Sequence, residues 1–227
     1  MANFSFIFAR GGSKGIPKKN LKQINKKSLL FYSIDISRTS EKIDRCFVST
    51  DCEEIKSQAL NYGAEVINRP KELAQDDSPE WNAWQHAIKW VNKKYGEFEK
   101  FISLPVTAPL RTKDDVDKCI EILDKETDVV ITITEAHRNP FFNMVKNEDG
   151  YLKRVCEPFS TIVRRQDAPL VFDMTTVAYV LRPDFIINNQ SIWSGKIKGV
   201  KIPKIRSIDI DDNFDLEIAR YLHSKKL

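Results

Sequence analysis

Apolar runs of strand length alternate along this chain with segments whose hydrophobic positions recur at helical spacing. That alternation predicts a mostly parallel sheet covered by helices on both faces, because parallel strands need a long crossover and a helix is the usual one. Strands are expected at about Phe4 to Ala9, Arg45 to Thr50, Phe101 to Leu104, Val129 to Thr134 and Thr176 to Leu181. Helices fall between them. Ser28 stands ahead of Leu29, Leu30, Ser33 and Ile34, and the helix running from Asp51 to Asn61 stops at Gly63. In Ser78-Pro79-Glu80 a capping residue precedes proline, after which Trp81, Trp84, Ile88 and Val91 repeat on one face. Those tryptophans read as core. Thr112 is expected to cap a helix whose first turn carries Asp114 and Asp115, where acidic groups suit the helix dipole. The last helix follows Asp211-Asp212-Asn213.

Between His137 and Asp173 the alternation breaks, and Asn139-Pro140, Asn147-Glu148-Asp149-Gly150 and Ala168-Pro169 supply turn signals. The stretch 137–174 is therefore expected to be an inserted arm of short ribbons within one domain spanning 1–227. A chain of 227 residues with 41% hydrophobic content can bury one sizeable core.

Charge changes this picture little. The net +4 comes from 36 basic and 32 acidic residues spread along the chain, without the contiguous basic stripe that a nucleic-acid binder needs. No apolar run approaches the ~20 residues of a membrane span. The opening run to Ala9 is short, lacks a basic leader and leads into Arg10, so it reads as a buried strand, not a signal peptide. A cytoplasmic location is the expectation. Four cysteines (Cys46, Cys52, Cys119, Cys156) and three histidines are scattered without zinc-site or disulfide spacing, so any metal must use oxygen ligands.

The most informative segment is Arg10-Gly11-Gly12-Ser13-Lys14-Gly15-Ile16-Pro17-Lys18-Lys19-Asn20, directly after the first strand. Its glycines let backbone N–H groups approach an anion, and Arg10, Lys14, Lys18 and Lys19 add positive charge, as triphosphate binding requires. It is neither a P-loop nor the dinucleotide fingerprint, which argues against a P-loop kinase and a nicotinamide dehydrogenase. Near the carboxyl end, Asp209 and Asp211 are one residue apart, so in extended backbone both carboxylates point to one side and offer two hard oxygen ligands suited to magnesium. Their other reading is as caps of the last helix, a task that Asp212 could perform instead.

Ala9 to Asn20 resembles the acylneuraminate cytidylyltransferase signature A-R-x-x-S-K-G-x-x-x-K-N at every fixed position. Similarity continues through Val48-Ser49-Thr50-Asp51, Asn68-Arg69-Pro70 with Leu73-Ala74, Thr107-Ala108-Pro109-Leu110-Arg111 and Ser207-Ile208-Asp209-Ile210-Asp211. The resemblance implies a Rossmann-like three-layer α/β nucleotidyltransferase fold and an enzyme that couples CTP to a 2-keto sugar acid, releasing pyrophosphate. Arg10, Lys19, Asp209 and Asp211 would be catalytic, with magnesium on the two aspartates. CTP contacts are expected from Ala9, Arg10, Gly11, Gly12, Ser13, Lys14, Lys19, Asn20, Arg69 and Ser78. Sugar contacts are expected from Thr107, Arg164, Arg165, Gln166, Asp173, Thr175 and Tyr179, although Arg164 and Arg165 could equally be an exposed basic turn.

This chain departs from the sialic acid enzymes where Pro105 replaces a sugar-holding glutamine and where Asp173 and Thr175 replace an arginine and an asparagine. Arg138 to Asn143 and Arg164 to Pro169 look more like the branch acting on legionaminic acid and related bacterial nonulosonates. Within the family the arm reaches a second subunit, so a homodimer is expected, with Phe141, Phe142 and Met144 as contacts. Two alternatives are an enzyme for the eight-carbon acid Kdo, and a nucleotide-binding regulatory module without turnover.

Overall fold

The computed structural model describes residues 2–158 and 161–225. In chain order its elements are β1 (Asn3–Phe8), a small hairpin of β2 (Gln23–Ile24) and β3 (Lys27–Ser28), α1 (Leu29–Thr39), β4 (Arg45–Thr50), α2 (Glu53–Asn61), β5 (Glu65–Asn68), α3 (Glu80–Tyr95) and β6 (Lys100–Ser103). Then follow α4 (Lys113–Ile122), β7 (Val129–Glu135), β8 (Val145–Glu148), β9 (Tyr151–Arg154), β10 (Phe172–Leu181), α5 (Pro183–Asn188), β11 (Ile197–Lys201) and α6 (Asn213–Ser224). The central sheet has seven strands in the order β11-β7-β10-β6-β1-β4-β5. Only β10 runs against its neighbours, β6 and β7. The remaining pairs are parallel.

The alternation of β1 explains the layers. Phe4 and Phe6 pack on one face with Phe47, Phe101, Trp81 and Trp84, beneath α3 and α5. Ile7 and Ala9 face the other way, onto Leu30 and Ile34 of α1, Ile55 of α2 and Val116 of α4. Burying each such large side chain contributes about 1.5–3 kcal/mol, so neither face is free to carry polar chemistry and the site is left to the strand ends.

Helix starts follow local chemistry. The Ser28 hydroxyl accepts the Phe31 N–H at 3.4 Å, while Thr112 with Asp115 and Asp212 with Asp215 form reciprocal capping boxes on α4 and α6. Ser78 does not cap α3 as expected. Pro79 takes the cap position without a side-chain bond, and the Ser78 N–H turns back to the Gln75 carbonyl at 3.3 Å. The two strands of the central sheet that the hydrophobic pattern does not mark, β5 and β11, are the two edges of that sheet. Edge strands are short and carry charges such as Glu65, Lys198 and Lys201, which guard against edge-to-edge pairing and erase the apolar run.

The arm leaves β7 and forms the β8–β9 hairpin, whose turn residues Asp149 and Gly150 both have positive φ, 53° and 85°. It returns through a 3-10 turn at Arg165–Asp167 to β10. Thus β10 enters the sheet from the arm and not through a crossover helix, which is why it runs antiparallel.

Candidate active site

The loop after β1 is stitched into a fixed shape. The Asn20 side chain, itself buried, donates from Nδ2 to the Arg10 carbonyl at 2.9 Å and ties the two ends of the loop together. The Gly11 N–H donates to Asp51 Oδ1 at 2.9 Å, so Asp51 has a structural task at the end of β4. Lys18 adopts the left-handed conformation, φ 54°, and so reverses the chain just before Lys19. Lys19 Nζ then reaches across to the Ile210 carbonyl at 2.8 Å and to Asp211 Oδ1 at 3.3 Å.

Gly15 fits here for a second reason. A Cβ built at Gly15 would overlap the Asp211 carbonyl oxygen, so the glycine lets the two backbones touch. The segment bearing the aspartates is held in turn by the Ile210 N–H, which donates to the Thr107 carbonyl beyond β6 at 2.9 Å. Asp211 is exposed and lines the cleft that these contacts frame, whereas Asp209 is half-buried, is not among the residues lining that cleft, and its Oδ1 is buried without a hydrogen-bond partner among the described residues. Asp212 caps α6, which leaves Asp209 and Asp211 free of that duty.

These contacts frame a cleft of about 570 Å³ at the carboxyl ends of β1 and β6. Arg10, Ser13, Lys14, Gly15, Lys19 and Asn20 form one wall and Pro105, Val106, Thr107, Thr176 and Tyr179 another, with Asp211 between them. Arg69 and Ser78 close the side nearest α3. Arg69 is buried, donates to Ser49 Oγ at 3.1 Å and to the Ser49 carbonyl at 2.8 Å, and lies over the Phe8 ring. Burial brings its pKa down to about 10, against the pull of Glu80 and Asp51, so it remains cationic at neutral pH.

Of the nucleotide-site residues expected from the sequence, three do not line this cleft. Ala9 is buried beneath the loop, Gly11 faces Cys52 and Gly12 is open to solvent. The sugar-site residues divide. Thr107 and Tyr179 line the cleft, and the Tyr179 phenol is pushed up to about 12 by burial and then by Glu80 and Asp209, so it stays a neutral donor. Thr175 is buried and donates to Thr132 Oγ1 at 2.7 Å. Its neighbour Thr176 lines the cleft, where the β10 register slips between Thr175 and Tyr179. Asp173 is exposed on the outer half of β10, opposite Thr134. Arg164 pairs with Asp167, Arg165 donates to the Ala136 carbonyl at 2.9 Å, and Gln166 lies beside them. These four residues stand on the arm side, away from the cleft of their own chain.

Two cleft carboxylates were not singled out from the sequence. Asp76 bridges Arg10 at 2.8 Å and Lys14 at 2.6 Å, and its carboxyl is held below the usual range by Lys14. Glu80 accepts a hydrogen bond from Trp84 Nε1 at 3.2 Å, and desolvation between the cleft walls raises its carboxyl pKa despite Trp84 and Arg69. Neither has a periodic signal, since one sits in a loop and the other in the first turn of a helix.

Known proteins are similar to this chain in sequence and in fold. Residues 5–147 match the family described as cytidylyltransferase. The chain is 34% identical, over 97% of its own length and 94% of the relative's, to a post-translational flagellin modification protein B of Campylobacter coli. It is equally 34% identical, with the same coverage, to the CMP-N,N'-diacetyllegionaminic acid synthase of Campylobacter jejuni. Its fold superposes on a CMP:2-keto-3-deoxy-manno-octonic acid synthetase complexed with CTP, with a TM-score of 0.72, 16% identity and full coverage of both chains. The chain therefore belongs to the cytidylyltransferase family, in the acylneuraminate group that includes the legionaminic acid branch.

Proposed function

We propose that the cleft binds CTP and a nine-carbon 2-keto sugar acid of the legionaminic type, and joins them into the CMP-sugar with release of pyrophosphate. The observation that carries this reading is the meeting of Lys19 with the Asp209–Asp211 segment at the mouth of the glycine-rich loop. Arg10, Lys14 and Lys19 offer donors to the phosphates, with Ser13 and Asn20 beside them. The anomeric hydroxyl of the sugar acid attacks the α-phosphorus, a new P–O bond forms there, and the bond to the β-phosphate oxygen breaks. Catalysis then comes from positioning and from neutralising phosphate charge.

Magnesium fits the donor set. Asp209 keeps a buried carboxylate oxygen without a partner and Asp211 an exposed carboxylate, while no cluster of three or more His, Cys, Asp or Glu groups able to cage an ion forms among the described residues. Two hard oxygen ligands with an open side suit an ion that completes its shell with waters and substrate phosphates. When bound, magnesium would supply charge neutralisation and polarisation of the phosphates.

The sugar's place is beside Thr107, Thr176 and Tyr179. The arm residues Arg164, Arg165, Gln166 and Asp173 fit a role in a second copy's cleft. Support comes from the exposure of Met144, Val145, Tyr151, Leu152, Val163 and Leu170, an apolar set too large for a turn-rich arm in water. Phe141 and Phe142, expected at that contact, are half-buried within the arm. The four cysteines are all free thiols, which suits a reducing cytoplasm. Among the described residues no helix is long and apolar enough to cross a membrane.

The test is to supply CTP, magnesium and a panel of legionaminic acid, N-acetylneuraminic acid and Kdo, with mass spectrometry of the products. CMP-legionaminate as the dominant product is expected. Turnover of Kdo alone, or CTP binding without any product, would overturn the assignment.

A further inference from the structure

Three residues ahead of Asp209, Arg206 ends a 3-10 turn (Lys204–Arg206) and reaches α4. Its Nε donates to Asp115 Oδ2 and its Nη2 to Asp115 Oδ1, both at 2.8 Å, which makes a two-pronged fork. Asp115 is itself fixed, because the Thr112 N–H and hydroxyl donate to its Oδ2 at 3.0 and 2.8 Å. Capping α4 needs only that exchange with Thr112. The box on α6 works the same way, and among the described residues Asp212 and Asp215 carry no arginine. The fork is therefore an addition to a cap. The Asp115 side chain is 3% exposed and that of Arg206 26%, so the pair is shielded from water on the carboxylate side, unlike most ion pairs of this molecule.

The place of the fork gives it a use. Ser207 and Ile208 alone separate it from Asp209, and on the far side Ile210 is buried with its N–H on the Thr107 carbonyl. Asp209 thus hangs between two fixed points. Arg111, fully buried at the foot of α4, attracts both Asp209 and Asp115, and its guanidinium holds Ser33 and the Pro105 carbonyl of the cleft wall. We propose that Asp115 and Arg206 are positioning residues for Asp209, holding its carboxylate where a divalent ion and the nucleotide phosphates must meet it. This rests on the reading that Asp209 and Asp211 hold magnesium.

The experiment measures manganese affinity of the CTP-saturated chain by water-proton relaxation, and CTP affinity separately with EDTA present. The chains are the unaltered protein, Asp209→Ala, Arg206→Gln, Arg206→Lys and Asp115→Asn. Loss of ordering contacts behind a metal ligand weakens metal binding by about 10- to 100-fold, and that is expected for Arg206→Gln and Asp115→Asn, with CTP affinity in EDTA unchanged. Arg206→Lys keeps the charge but not the fork and should recover only part of the loss. Unaltered manganese affinity in Arg206→Gln alongside a loss in Asp209→Ala would overturn the positioning role and leave the metal reading standing. Equal weakening of CTP and manganese would reduce the fork to a general structural contact. Unaltered affinity in Asp209→Ala would remove the metal reading itself.

Discussion

Lys19 Nζ sits 3.3 Å from Asp211 Oδ1 and 2.8 Å from the neighbouring Ile210 carbonyl, so the first loop of the chain and the last loop before α6 share one ammonium group. The Asp211 side chain is 78% exposed although that of Lys19 is only 17% exposed, and an ion pair open to water on its carboxylate side contributes at most about 1 kcal/mol. Stability does not explain the contact. Lys19→Met is accordingly expected to melt close to the unaltered protein and to release pyrophosphate about 100-fold more slowly, as when one preorganised donor to a reacting group is lost. Differential scanning fluorimetry and a pyrophosphate assay check the two halves.

Gly15→Ala places a methyl group against the Asp211 carbonyl oxygen, and either the loop or the aspartate segment must retreat. The expected result is a folded protein with a large fall in kcat. Gly12→Ala, where the added methyl meets nothing, should be near neutral by the same assay.

Tyr179 stays protonated until about pH 12 and can donate throughout the working range. Tyr179→Phe should raise the KM for the sugar acid about tenfold, the loss of one hydrogen bond, while the KM for CTP holds. No alkaline limb in the rate profile below that pH should belong to this phenol.

Much of this is legible in the sequence. The glycine and lysine spacing of residues 9–20 is local, so the loop after β1 could be read, and so could the caps at Ser28, Thr112 and Asp212. What was not legible is long-range or lies at an edge. The overlap of Gly15 with Asp211, the bridge from Asp76 to Arg10 and Lys14, and the fork from Arg206 to Asp115 join residues far apart in sequence and leave no periodicity. The strands β5 and β11 were missed because sheet edges trade apolar residues for charge. The register slip that separates buried Thr175 from Thr176 at the cleft depends on the Thr132 hydroxyl, which donates to the Thr175 carbonyl at 3.1 Å and accepts the Ala178 N–H at 3.2 Å.

The fork also sets a pH dependence. Burial pushes the Asp115 carboxyl up, but hydrogen bonds from Arg206 and Thr112 outweigh it and leave the pKa below the usual carboxylate value. A folded pKa below the unfolded one gives stability that is full above the unfolded value and is lost as pH falls through the folded one. The difference in melting temperature between the unaltered protein and Asp115→Asn should therefore be constant near neutrality. It should shrink as the pH drops below the ordinary carboxylate range, which thermal melts across an acid series will show.

Leu152→Glu puts a charge in the middle of the exposed apolar set on the arm, at a side chain that is 70% exposed. Sedimentation should show the unaltered protein as a dimer and this variant as a monomer. Activity should fall with dimer content, as the role proposed for Arg164 and Arg165 in a partner's cleft requires.

On the proposed reading, the loop after β1 and the Asp209–Asp211 segment act together on one bound CTP. Pyrophosphate release from CTP, magnesium and legionaminic acid, compared between the unaltered protein and Asp209→Ala at equal folded concentration, tests it most directly. Steady release that depends on the sugar acid is expected from the first and a fall of at least about 100-fold in the second. Equal rates from the two proteins would contradict it.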